Sequence, residues 1–139
     1  MSRHLAREIA FKTLFQLDFG DNDVEPAFSR LLEENGLSGD NAVFARTLVD
    51  GTLQNQEAID IVLARFLVNW ELSRLAAVDR NVLRLAAYEI LYREDIPNAV
   101  AINEALEISK IFHSEEAAKF LNGVLDKLAR GTEDDGEVK

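Results

Sequence analysis

Side chains that could catalyse a reaction or hold a metal ion are scarce in this sequence of 139 residues. It has two histidines, His4 and His113, and no cysteine. Neither histidine occurs in HExxH, in ExxH or in a pair one helical turn apart, the arrangements that place metal ligands on one helix face. Glu104 and Glu107 are one turn apart, as in a four-helix carboxylate site, but the histidine partners of such a site are missing. The sequence therefore predicts no metal site.

Motifs for phosphate binding and nucleophilic catalysis are missing as well. The chain contains no GxxxxGK[ST] loop, no GxGxxG turn and no GxSxG elbow. We therefore expect a binding protein without catalytic residues and without a cofactor, and not an enzyme.

The charges are distributed unevenly. The formal net charge is -10, which argues against binding nucleic acid through a basic field over a whole face. The first twelve residues nevertheless contain four basic side chains and one acid: Arg3, His4, Arg7, Lys12 and Glu8. Any RNA binding should therefore be local and involve this basic N-terminus.

The domain organisation is predicted to be simple. Nearly half of the residues are apolar (47%), which is enough for one compact core. We expect one helical domain over residues 1–130 and an acidic, disordered tail over 131–139. The N-terminus lacks an apolar run behind its charges, and no stretch reaches the ~18 apolar residues of a membrane span. The predicted location is the cytoplasm.

The fold class is predicted to be all-α, with seven helices. No segment alternates apolar and polar residues for long enough to form a strand. Residues 57–70 carry a single apolar stripe that ends with Trp70, which predicts one helix with one buried face. Residues 77–93 are apolar around most of the circumference and should form the central helix. The last helix should begin at Ser114, a good N-cap residue followed by two acids.

Two phenylalanines deviate from the buried stripes of their helices. Phe15 lies about 160° from the inward face of the first helix. It either contacts RNA or a protein partner, or another helix covers it. Phe120 lies at the edge of the last helix's apolar face, flanked by Lys119 and Lys127. It is either a core residue or a platform on which an RNA base stacks.

Two further residues break the pattern inside helices. Glu89 falls within an apolar stripe, which predicts a buried carboxylate paired with a cation, and Arg93 one turn later is the obvious partner. Gly123 occupies a helix interior at a cost of roughly 1 kcal/mol relative to alanine. We expect close helix packing at that position.

Several segments, in order and at characteristic distances, make the chain similar to the NusB family from residue 3 to about residue 130. These segments are ARE at 6–8 with Phe15, WELSRL at 70–75, VDRNVLRLAAYE at 78–89, IP at 96–97, INEA at 102–105 and KFLNGVLD at 119–126. The same helical unit occurs at the front of some ribosomal RNA cytosine methyltransferases. The length of the chain favours the stand-alone factor.

The resemblance implies a transcription antitermination factor. Such a factor binds single-stranded boxA RNA in nascent ribosomal transcripts together with NusE, a ribosomal small-subunit protein. It helps to load the antitermination complex, with RNA polymerase and other Nus factors, without catalysing a reaction. The resemblance leaves open whether the free protein is a monomer or a homodimer.

The family pattern also implies which residues bind. The RNA-binding residues it implies are Arg3, His4, Arg7, Glu116, Lys119 and Phe120. The partner-binding residues it implies are Phe15 and Asp79, the latter on the polar side of the central helix. Family members often carry a run of arginines at the N-terminus, whereas this chain has only Arg3 and Arg7. An alternative is therefore a protein-binding scaffold for ribosomal proteins that does not contact RNA directly.

Overall fold

The computed structural model describes residues 2–20 and 23–135, and it is all-helical over these residues. The helices are α1 (Ser2–Asp18), α2 (Val24–Asn35), α3 (Gly39–Gln54), α4 (Gln56–Ala64), α5 (Ala77–Tyr92), α6 (Asn98–Phe112) and α7 (Glu115–Asp135), with a single 3-10 turn at Leu72–Arg74. The predicted all-α class and its seven helices are confirmed. None of the described helices is long and apolar enough to cross a membrane.

The central helix is α5, as predicted. It packs against α1, α3, α4, α6 and α7, and eleven of its residues are buried. Burial of a helix on nearly all sides requires apolar residues around its circumference, and Val82, Leu83 and Ile90 meet this requirement. α5 touches five other helices, so its two ends serve as reference points for the surfaces described below.

The start of α7 follows from local sequence. The Ser114 hydroxyl accepts a hydrogen bond from the Ala117 backbone N–H at 3.0 Å, which satisfies one of the free donors of the first turn. Glu115 and Glu116 occupy that turn, where the helix dipole favours negative charge. The predicted N-terminus of the last helix is confirmed.

The end of α7 differs from the prediction. The helix continues to Asp135, five residues beyond the boundary expected at residue 130. Thr132 is buried and its hydroxyl donates to the Leu128 carbonyl at 2.7 Å, so the last turns belong to the fold. Residues 136–139 of the expected tail lie outside the described residues.

Gly123 and Trp70 are also placed differently. Gly123 is exposed, and a Cβ atom there would meet nothing within 4 Å, so the expected close packing at this glycine is wrong. Trp70 is not in a helix, because α4 ends at Ala64. The chain then turns, and Asn69 adopts a left-handed conformation with φ 68°. This turn takes Trp70 out of the predicted buried stripe.

Candidate functional site

The residues predicted to bind RNA fall into two groups at opposite ends of α5. Arg7 contacts Glu89 in the C-terminal half of that helix. Phe120 and Glu116 line a groove that includes Asp79, in the first turn of α5. Asp79 and Glu89 are ten positions apart, a rise of about 15 Å along a helix. The two groups are therefore separate surface features.

Arg7 is committed to the interior of the protein. Its Nε donates to Glu89 Oε1 at 2.9 Å, and its Nη2 lies 2.8 Å from the same oxygen, with the two side chains only 6% and 2% exposed. Desolvation by burial raises the pKa of the Glu89 carboxyl, and the hydrogen bond from Arg7 opposes that shift. The predicted burial and pairing of Glu89 are confirmed. The guanidinium of Arg7 is enclosed within the fold, so the RNA contact predicted for Arg7 stays a prediction that its burial does not support.

The expected partner of Glu89 is also corrected. Arg93 instead forms a two-pronged hydrogen bond with Asp95, at 2.9 and 2.8 Å. Arg93 has reached the end of α5, where its side chain can turn to the loop that follows. It acts on Glu89 only through its charge.

The other basic residues of the N-terminus differ in accessibility. His4 is half-buried, and its Nδ1 lies 2.9 Å from a carboxylate oxygen of Glu104. Arg3 is exposed, with its guanidinium 4.1 Å from the centre of the Phe44 ring. Of Arg3, His4 and Arg7, Arg3 alone has an exposed side chain.

A groove of about 360 Å³ lies at the N-terminal end of α5. It is lined by Trp70, Arg74, Leu75, Ala76, Asp79, His113, Ser114, Glu116, Ala117 and Phe120. The rings of Trp70 and Phe120 lie with their centroids 5.9 Å apart and their planes tilted by 60°. Phe120 is half-buried and packs on the core, so it is both a core residue and a wall of the groove. Lys119 is exposed beside it.

Asp79 lies deeper than predicted. Its Oδ1 is 2.9 Å from His113 Nδ1, and its side chain is only 10% exposed. Although Asp79 was placed on the polar side of the central helix, its side chain is turned toward His113 and largely shielded from solvent. The contact joins the start of α5 to the residue that ends α6, which fixes the floor of the groove.

Three phenylalanines form a row along α1 and just past its C-terminal end. Phe15 is half-buried and lies between Phe11, at 5.8 Å, and Phe19, at 4.9 Å between ring centroids. Phe19 is 70% exposed. The Arg80 guanidinium binds Asp18 at 2.6 Å, which brings the exposed end of this row to the same end of α5 as the groove.

At this end of α5, two exposed aromatic residues, Phe19 and Trp70, were not predicted as functional. Phe19 continues the spacing Phe11, Phe15, Phe19, and this repeat every four residues is a signal that the sequence does contain. Trp70 offered no such signal, because it continued the apolar stripe of the preceding helix.

No group of three or more His, Asp or Glu side chains within the described residues is arranged to hold a metal ion.

Comparisons with known proteins give consistent matches. The family model of the NusB family matches residues 4–130. A transcription antitermination protein NusB from Desulforamulus reducens is 46% identical over 128 residues, 92% of this chain and 90% of that protein. One from Desulfitobacterium hafniense is 49% identical over 130 residues, 92% of this chain and 88% of the relative.

Solved structures give the same result. A structure of NusB from T. maritima matches with a TM-score of 0.85 at 43% identity, over 92% of this chain and 90% of that one. A crystal structure of the antitermination factors NusB and NusE in complex with double-stranded RNA matches with a TM-score of 0.86 at 28% identity, over 94% and 97% of the two chains.

Proposed function

Since the chain belongs to the NusB family, we propose that it is a transcription antitermination factor that binds single-stranded boxA RNA together with NusE. The observation that carries this proposal is the family match over residues 4–130, which contains both the groove and the phenylalanine row. The protein acts by binding, not by catalysis, and helps to load other Nus factors onto RNA polymerase. It works where transcription takes place, in the cytoplasm.

The RNA side of this function lies at the groove and at the N-terminus of α1. Lys119 and Arg3 have exposed side chains and contact phosphates. Phe120 supplies an aromatic surface for a base, which single-stranded RNA presents because it is not paired. Glu116 lines the groove. Because its carboxylate is negatively charged, it accepts hydrogen bonds from a base and does not contact a phosphate.

The partner side lies on the phenylalanine row. Phe19 and Ile111 are large apolar side chains exposed to solvent, at 70% and 58%, and Phe15 supports Phe19 from below. Large exposed apolar side chains are candidates for a protein interface, and the contact between Phe11 and Phe112 joins the phenylalanine row to α6. NusE therefore covers the ends of α1 and α6, next to the groove. Asp79 lies near this surface. It contributes to NusE binding by holding His113, whose side chain is partly exposed.

One titration tests the proposal. Labelled boxA RNA is titrated with the full chain alone and with the chain saturated with NusE. We expect RNA binding in both cases and higher affinity with NusE. No binding of boxA RNA under either condition, with NusE still bound, would favour the alternative of a scaffold that binds ribosomal proteins only.

Matched variants separate the two surfaces. Phe19→Ala should weaken the binding of NusE and leave the RNA affinity of the free chain unchanged. Lys119→Ala should weaken the binding of RNA and leave the affinity for NusE unchanged. An identical loss in both assays from either variant would contradict the assignment of two surfaces.

A further inference from the structure

Trp70 is exposed to an extent that packing does not explain. It is the single tryptophan of the sequence, and 57% of it is accessible to solvent. Indole rings bury a large apolar area and are highly buried on average in folded proteins. An exposed tryptophan at a concave surface is therefore a candidate contact for a ligand.

The backbone holds the indole outside the core. After α4 ends at Ala64, the backbone N–H of Trp70 donates a hydrogen bond to the backbone carbonyl of Leu67 at 3.2 Å, which closes a tight turn. Asn69 within this turn has φ 68°, and it is the one non-glycine residue with positive φ in the described part of the chain. A left-handed residue costs conformational energy, and such strain concentrates at functional positions.

The ring stands between two concavities. On one side lies the groove of about 360 Å³ that Trp70 shares with Phe120. The second concavity, of about 520 Å³, is lined by Asn69, Trp70, Glu71 and Arg74. Arg74 lines both, has an 80% exposed side chain, and lies 3.2 Å from a carboxylate oxygen of Glu71, an exposed pair that holds it only weakly. An aromatic wall with a cation beside it and space next to it is the composition of sites that bind single-stranded nucleic acid.

We propose that Trp70 is a stacking platform for an unpaired RNA base, which enters the groove lined by Trp70 and Phe120. The two rings already touch, with centroids 5.9 Å apart, so the base stacks on Trp70 and not between them. This inference rests on the proposed function, because it takes RNA as the ligand. A base fits better than an apolar side chain of a protein, because the floor carries the polar groups of Asp79, His113 and Glu116 and a base presents polar edges to them. Arg74, which lines both concavities, supplies the cation for a phosphate next to the stacked base.

The single tryptophan makes the test direct. The fluorescence of the full chain, excited at the indole, is followed as single-stranded boxA RNA is added. Stacking of a base on the ring quenches indole emission, so we expect quenching that saturates together with binding measured independently on labelled RNA. Binding of RNA without a change in indole emission would overturn the inference.

Variants supply the second measurement. Trp70→Ala should weaken RNA binding about fivefold or more, the loss of one stacked base, whereas Trp70→Phe, which keeps a flat ring, should retain most of the affinity. Ile61→Ala is the matched control, because Ile61 is a large apolar side chain, 60% exposed on α4, that lines neither concavity. It should bind RNA as the parent does. Thermal melting of each variant confirms that it is folded.

The outcomes separate this inference from the proposed function. If Trp70→Ala binds RNA as tightly as the parent, the stacking role is wrong and the antitermination function stands. If Trp70→Ala loses affinity for NusE instead of affinity for RNA, the groove binds a protein and the inference is overturned. If the parent chain binds no boxA RNA at all, the proposed function itself fails.

Discussion

The pair formed by Arg7 and Glu89 is a buried ion pair that joins α1 to α5. Its two side chains are almost completely buried and joined by hydrogen bonds. Glu89→Ala leaves a buried guanidinium without its main partner, which we expect to lower the free energy of unfolding by about 3–5 kcal/mol. Urea unfolding measures this. Glu57→Ala, at an exposed position of α4, is the control and should change it by less than about 0.5 kcal/mol.

The pH dependence of stability tests the electrostatics of the same pair. Burial raises the pKa of Glu89 above its ordinary value of 4.5, with Arg7 opposing the shift. A carboxyl whose pKa is higher in the folded state binds more protons there, so its contribution is fully present below the unfolded pKa and is lost as pH rises through the folded pKa.

The comparison variant is Glu89→Gln, which cannot titrate at this position. We expect the stability of the parent, relative to this variant, to fall as pH increases from about 4.5 and then to level off. Urea unfolding of both proteins across this range provides the measurement. A relative stability that rises with pH would mean that Arg7 lowers the pKa of Glu89 instead.

Salt dependence distinguishes surface cations from buried ones. Each phosphate contact contributes about -0.7 to the slope of log affinity against log salt for single strands. Arg3→Ala and Lys119→Ala should therefore each flatten that slope for boxA RNA, measured on the NusE-bound chain. Arg7→Ala should lower the melting temperature instead. A well-folded Arg7→Ala protein with a flattened slope would restore Arg7 as an RNA contact.

At the residue scale, sequence predicts that a charge is buried more readily than it predicts its partner. Glu89 was identified because the residues around it on the helix are apolar, which is local information. Its partner Arg7 is 82 positions away, and only the packing of α1 on α5 brings them together. Arg93 was the nearest cation along the helix, but the end of α5 allows it to reach Asp95.

Helix packing is tested most sharply by a pair of glycines. Gly51 in α3 faces Tyr88, and a Cβ atom there would overlap Cζ of that ring. The ring also stacks on Tyr92, with 5.8 Å between centroids, so its movement would disturb a second contact. Gly51→Ala should destabilise the protein by about 1–3 kcal/mol through overpacking between α3 and α5.

Gly123 provides the matched control for that substitution. It also lies within a helix, but a Cβ atom there meets nothing within 4 Å. Gly123→Ala should therefore stabilise the protein by up to about 1 kcal/mol, the difference in helix propensity. Thermal melting of both variants should show shifts of opposite sign. A loss of stability in Gly123→Ala would indicate packing at this position after all.

At the scale of elements, periodicity located the helices but not all of their ends. The apolar spacing of α4 continues to Trp70, although the helix stops at Ala64. No proline or glycine marks that end, because the reversal uses a left-handed Asn69. The end of α7 was placed too early for the opposite reason, since Gly131 looks like a stop signal but is accommodated in the helix against Phe66. The groove depends on the first of these turns, so it could not be predicted from the sequence.

The charge of the whole molecule sets how RNA approaches it. A net charge of -10 repels a polyanion at long range, while Arg3, Arg74 and Lys119 attract it only where they lie. Both effects weaken with salt, because the Debye length is about 10 Å at 0.1 M ionic strength. Repulsion acts during the approach and therefore on the association rate, whereas contacts act mainly on the dissociation rate.

Neutralising acids away from the groove tests this separation. Glu33 and Glu34 are exposed on α2 and do not line the groove. Glu33→Gln together with Glu34→Gln should raise the association rate with boxA RNA at low salt, by less than about tenfold for two charges, and leave the dissociation rate unchanged. Stopped-flow mixing with labelled RNA gives both rates. Lys119→Ala, which removes a contact, should instead accelerate dissociation. A changed dissociation rate in the double variant would place α2 in contact with RNA and contradict a local site. Association rates of the parent and the double variant that converge above about 0.5 M salt would agree with long-range repulsion screened by ions.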